Sequence, residues 1–116
     1  MSKVLIVEDY KDLSDFYQEF LEEDNLFIAS DGDTAVSLYK EYNPDIVFMD
    51  LRIPKKNGID AIKEIIQIDP KAKIIAMTAY GSTIRSKALE AGAKEVLRKP
   101  FSLSELKEIM DKYRQI

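Results

Sequence analysis

A doubly wound α/β fold, with five parallel strands in the order 2-1-3-4-5, is what this sequence predicts, and three observations predict it. Short apolar runs alternate five times with longer amphipathic stretches. The runs are continuously apolar rather than alternating, as strands covered on both faces require. Right-handed crossovers applied to a fivefold βα alternation then leave an open sheet, for which 2-1-3-4-5 is the commonest order.

The elements follow in turn. The first strand is the Val-Leu-Ile-Val run at 4–7, which ends in Glu8-Asp9. Leu13, Phe16, Tyr17, Phe20 and Leu21 recur at helical spacing and mark the first helix. A second strand at 26–29 leads to the Asp31-Gly32 turn and a helix over 33–42, which Asn43-Pro44 ends. The third strand, 46–49, is followed by a helix carrying Ile59, Ile62, Ile65 and Ile66. After the fourth strand, 74–77, comes a helix over 82–91 with a thin stripe of Ile84, Ala88 and Leu89, so it should be loosely packed or partly exposed. A weak strand at Val96-Leu97 precedes a last helix with Leu103, Leu106, Met110 and Tyr113. Ser102 and Glu105, three residues apart, form its capping box.

Composition narrows the function. The 116 residues suit one domain spanning 1–116, and 46% hydrophobic with 33% charged residues suits a packed core rather than disorder. No apolar run approaches the ~20 residues of a membrane span. The first one stops at Glu8-Asp9, too early for a secretory signal, so a cytoplasmic location is expected. With no Cys and no His, disulfides, thiolate or imidazole metal sites and Ser-His or Cys-His catalysis are excluded. A net charge of -4 argues against direct nucleic-acid binding.

In a sheet of this kind ligands bind at the carboxyl ends of the strands. The residues just past those ends are Glu8-Asp9, Asp50, Thr78 and Lys99-Pro100. Singly, each has an ordinary explanation as a helix cap, a turn hydroxyl or a solvated lysine. Together they place three carboxylates in one small volume, which persists when a cation neutralises them. Mg²⁺ suits oxygen ligands and keeps waters for a phosphoryl partner, whereas nothing here resembles an EF-hand loop for calcium. Asp50 is then the candidate nucleophile, with Thr78 and Lys99 positioned for phosphoryl oxygens.

Glu8-Asp9, the Asp50-Leu51-Arg52-Ile53-Pro54 segment with Gly58, Thr78-Ala79 and Lys99-Pro100-Phe101 resemble the motifs of receiver domains of two-component response regulators, across essentially the whole chain. The resemblance implies a flavodoxin-like (βα)5 fold and an Asp50 that accepts a phosphoryl group from a phosphohistidine. The donor would be a sensor histidine kinase or phosphotransfer protein. It implies Mg²⁺ held by Glu8, Asp9, Asp50 and the main-chain carbonyl of Arg52, Thr78 as a switch hydroxyl, and Lys99 as an ion-pairing lysine before a cis proline. The output partner, or an effector domain, would meet the face of helix 4, strand 5 and helix 5. In the family, the position three residues before the lysine carries an aromatic or His; here it is Val96, read as strand core, which leaves Thr78 and its loop to signal alone. The domain would act only on itself, as an acceptor rather than an enzyme with outside substrates.

Three rivals share parts of this pattern. A haloacid-dehalogenase-type phosphatase needs a second Asp two residues past the nucleophile, where this chain has Arg52. A flavodoxin-like electron carrier needs a Ser/Thr/Gly-rich phosphate loop after strand 1, where Glu8-Asp9-Tyr10-Lys11 stands instead. A non-phosphorylated interaction module does not need the full set of site residues. Arg52 and Tyr80, each two residues past a site residue, are the candidates that shield an aspartyl-phosphate from water and slow its hydrolysis.

Overall fold

A computed structural model describes residues 3–20, 25–53, 55–79 and 81–113. Leu21, Pro54 and Tyr80, and the side chains of Leu13 and Phe20, lie outside the described residues. The elements are β1 (Lys3–Val7), α1 (Lys11–Phe20), β2 (Asn25–Ala29), α2 (Gly32–Tyr42), β3 (Ile46–Asp50), α3 (Gly58–Ile68), β4 (Ile74–Thr78), α4 (Ser82–Ala91), β5 (Glu95–Arg98) and α5 (Leu103–Tyr113). All strand pairs are parallel, and the order is β2-β1-β3-β4-β5.

Strand side chains alternate between two cores. Val4, Ile6, Ile46, Phe48, Ile75, Met77 and Leu97 pack with Tyr17 of α1 and Leu106, Ile109 and Met110 of α5. Leu5, Val7, Val47, Met49, Ile74 and Ala76 pack with α2, α3 and α4 through Val36, Ile62, Ile65 and Ala88 among others. Each fully buried aliphatic side chain contributes about 1.5–3 kcal/mol, so both faces must be covered for the sheet to persist. The same alternation orients the polar ends of the strands. Asp50 follows Met49 and so belongs to the α1 and α5 face, whereas Thr78 follows Met77 and belongs to the α4 face.

Several boundaries differ from the sequence reading. Strands β3 and β4 include Asp50 and Thr78 as their last residues, because the parallel ladder pairs Asp50 with Met77 and Thr78 with Arg98. Helix α2 begins at Gly32, one residue early, because Asp31 is its cap and accepts from Thr34 N at 2.8 Å. Asn43 ends it in a left-handed conformation (φ 47°), donating its N–H to the Tyr39 carbonyl. The α5 stripe runs through Leu106, Ile109, Met110 and Tyr113, a complete helical set that leaves Leu103 51% exposed. Phe16 and Leu89, also assigned to stripes, are partly exposed. The Ser102–Glu105 capping box forms in both directions.

Candidate functional site

Main-chain hydrogen bonds align the strand ends. Glu8 N donates to Ala29 O, Leu51 N to Met77 O, and Lys99 N to Thr78 O at 2.8 Å, so each residue after one strand is fixed to its neighbour. Gly58, at the start of α3, lies so close to the end of β3 that an added Cβ would sit 2.7 Å from the Asp50 carbonyl oxygen and 2.6 Å from Leu51 Cα. Only glycine permits that approach, and it holds the loop after Asp50 against the sheet.

Lys99 bridges two of the acids. Its Nζ donates to Glu8 Oε1 at 2.9 Å and to Asp50 Oδ2 at 3.0 Å. The other Asp50 oxygen, Oδ1, accepts from the main-chain N–H of Arg52 at 2.9 Å, so both oxygens of this carboxylate have fixed directions. Glu8, Asp50 and Thr78 are buried, whereas Asp9 is exposed at the rim. Carboxylate oxygens of Glu8, Asp9 and Asp50 all lie within 4.8 Å of one another. They line a cleft of about 400 Å³ with Thr78, Lys99, Tyr10, Arg52 and Ala79.

Crowding shows in the proton equilibria. Burial, and then the hydrogen bond shared with Asp50, push the Glu8 carboxyl up to about 7 against the opposing pull of Lys99. Burial draws the Lys99 ammonium down, but its hydrogen bonds to Glu8 and Asp50 outweigh that and raise it. One lysine therefore does not neutralise the group. A hard divalent cation with oxygen preference fits the remaining donors, an exposed Asp9 beside two buried carboxylates that open on the same cleft.

All five strand-end residues predicted to converge do so. Arg52 lines the cleft and its side chain is exposed, while Tyr80 falls outside the described residues. Val96 is half-buried and packs into the α2–α4 core, on the same face as Thr78. The Lys99–Pro100 peptide is cis. Sequence reasoning missed the Lys99–Glu8 pair, the Arg52 N–H on Asp50, and Tyr10, which is exposed at the mouth of the cleft. No motif carried Tyr10; its position directly after Glu8-Asp9 was the available signal.

Comparison with known proteins agrees with this geometry. The family model of the response regulator receiver domain matches residues 4–111. Protein CcdB of Bacillus subtilis (strain 168) is 42% identical, the match covering 97% of each chain. The chemotaxis protein CheY of Thermotoga maritima is also 42% identical, over 95% of each. Among solved structures, the receiver domain of a sensor histidine kinase from Pseudomonas aeruginosa PAO1, with a magnesium ion in its active-site cleft, superposes with a TM-score of 0.89. It is 29% identical, and the match covers 97% of this chain and 96% of that one. With its ordered set of strand-end residues and a family match over nearly its whole length, the chain belongs to the receiver domains of two-component response regulators.

Proposed function

We propose that Asp50 is the phosphoacceptor and that its phosphorylation drives an output surface built on α4, β5 and α5. One observation carries the reading: a buried carboxylate with both oxygens oriented, Oδ1 by the Arg52 N–H and Oδ2 by Lys99, at the floor of an acidic cleft. An Asp50 oxygen attacks phosphorus, the P–N bond of a phosphohistidine breaks, and the imidazole leaves with the electron pair and takes up a proton. Lys99 and the Thr78 hydroxyl line the cleft where anionic phosphoryl oxygens arrive, and both are donors. Glu8, Asp9 and Asp50, with the Arg52 carbonyl, would hold Mg²⁺, which when bound offsets their repulsion and the charge of the phosphoryl oxygens.

The phosphodonor is a sensor histidine kinase or phosphotransfer protein, placing the domain in the cytoplasm; no helix among the described residues is long and apolar enough to cross a membrane. The chain modifies itself and turns over no outside substrate. Arg52, exposed at the mouth, restricts the approach of water to the acyl phosphate and lengthens its life. Intact-mass spectrometry after incubation with acetyl phosphate and Mg²⁺ tests the reading. One added phosphoryl group, lost in Asp50→Asn, is the expected result. No adduct, or one that persists in Asp50→Asn, overturns it.

A further inference from the structure

Tyr17 is a buried phenol that the acceptor chemistry does not use. It sits in α1 with no solvent exposure, and its hydroxyl donates to Met77 Sδ at 3.2 Å. A thioether is a weak acceptor, so phenylalanine would fill this space at a smaller desolvation cost unless the hydroxyl has a task. The ring stacks on Phe101, with centroids 6.2 Å apart and planes 17° apart. Met77 precedes Thr78, and Phe101 follows Lys99-Pro100. One side chain of α1 thus grips both segments that end in the cleft. Burial, and then the charges of Glu8 and Asp50, hold the phenol well above the ordinary tyrosine range, so the hydroxyl remains a donor.

We propose that the Tyr17 hydroxyl is a positioning group that restrains the switch: its bond to Met77 holds the end of β4 where it stands before a phosphoryl group arrives. The proposal rests on Asp50 being the acceptor. A phosphoryl group there brings three anionic oxygens into the cleft that Thr78 lines. Drawing the Thr78 hydroxyl onto one of them displaces the end of β4, and Met77, one residue back on the opposite face, moves with it. A bond made only in the unphosphorylated arrangement favours that arrangement. Removing it raises affinity for whatever favours the other arrangement.

The test titrates Mg²⁺, and then beryllofluoride as a stable stand-in for the phosphoryl group, into wild type, Tyr17→Phe, Met77→Leu and the double variant. Mg²⁺ affinity should be unchanged throughout, because neither residue lines the cleft. Beryllofluoride affinity should rise roughly three- to tenfold in each single variant. The double variant should gain no more than either, because both substitutions remove the same bond. Tyr17→Phe keeps the stacked ring and Met77→Leu keeps the phenol, so lost packing does not account for the same gain in both. Equal or weaker beryllofluoride binding in the single variants overturns the proposal, as does a double variant whose gains multiply. Should Tyr17→Phe not fold, Met77→Leu decides. If wild type shows no beryllofluoride binding that Asp50→Asn abolishes, the acceptor reading falls and the restraint falls with it.

Discussion

Helices α3 and α4 cover neighbouring parts of one sheet face, with 11 and 10 residues, yet they are held in unlike ways. Helix α3 is capped by Asn57, whose side chain accepts from Asp60 N at 2.9 Å, and it buries Ala61, Ile62 and Ile65. Helix α4 is preceded by Gly81, an N-cap that offers no side-chain hydrogen bond, and it buries only Ala88 and Ala91. Between them opens a cleft of about 750 Å³, lined by Ile59, Lys63, Ile84 and Lys87 among others. The difference teaches where the molecule is rigid and where it is inexpensive to move. The firmly anchored helix follows the β3 end that carries Asp50, and the loosely anchored one follows the β4 end that carries Thr78, so on the proposed reading α4 is the element a phosphoryl group at Asp50 can move.

The largest difference between the two helices should appear when a side chain of each is truncated. Ile62→Ala should cost about 2–5 kcal/mol, because it leaves a cavity in a closed core. Leu89→Ala, at a side chain already 39% exposed, should cost less than about 1 kcal/mol. Urea denaturation measures both, and equal losses would mean that α4 is as firmly seated as α3.

A smaller effect comes from pH. In the metal-free protein Glu8 titrates near 7 when folded and near its ordinary value of 4.5 when unfolded. Between those values the folded state holds a proton that the unfolded state lacks. Stability is therefore greatest at the acidic end of that window and falls as pH rises toward 7, by an amount on the order of 2 kcal/mol. Glu8→Gln, which cannot ionise, should remove this slope. Because the added charge lies on the site rather than under α3, the accompanying loosening should appear first around Thr78 and α4. An identical pH profile in wild type and Glu8→Gln would show that burial does not hold a proton on Glu8.

The helix caps should contribute least. Asn57→Ala should cost about 1 kcal/mol. Gly81→Ser should stabilise by a few tenths of a kcal/mol, since a Cβ there meets nothing within 4 Å and the hydroxyl can cap α4. Thermal unfolding checks both signs. A destabilising Gly81→Ser would mean that the bare start of α4 is not a weakness.

Much of this contrast was legible in the sequence. Strand runs and helical stripes gave the topology, and the thin stripe of Ile84, Ala88 and Leu89 anticipated the exposed Leu89. The strand-end rule brought Glu8, Asp9, Asp50, Thr78 and Lys99 together, because a parallel sheet has one carboxyl edge and all five residues stand on it. What escaped depends on approach in space. Lys99 reaches Glu8 across 91 positions, and Tyr17 reaches Met77 across 60. Periodicity assigns Tyr17 to a core stripe but is silent on where its hydroxyl ends. Leu103 fitted the α5 spacing as well as Ile109 did, and only packing distinguishes them.

Whether charge at Asp50 is read out through the weakly held α4 is tested most directly by hydrogen exchange with and without Mg²⁺ and beryllofluoride. Protection changes should concentrate between Thr78 and Phe101, including α4, while α3 stays as it was and Asp50→Asn shows no change. A response shared equally by α3, or one absent from the 78–101 segment, would contradict it.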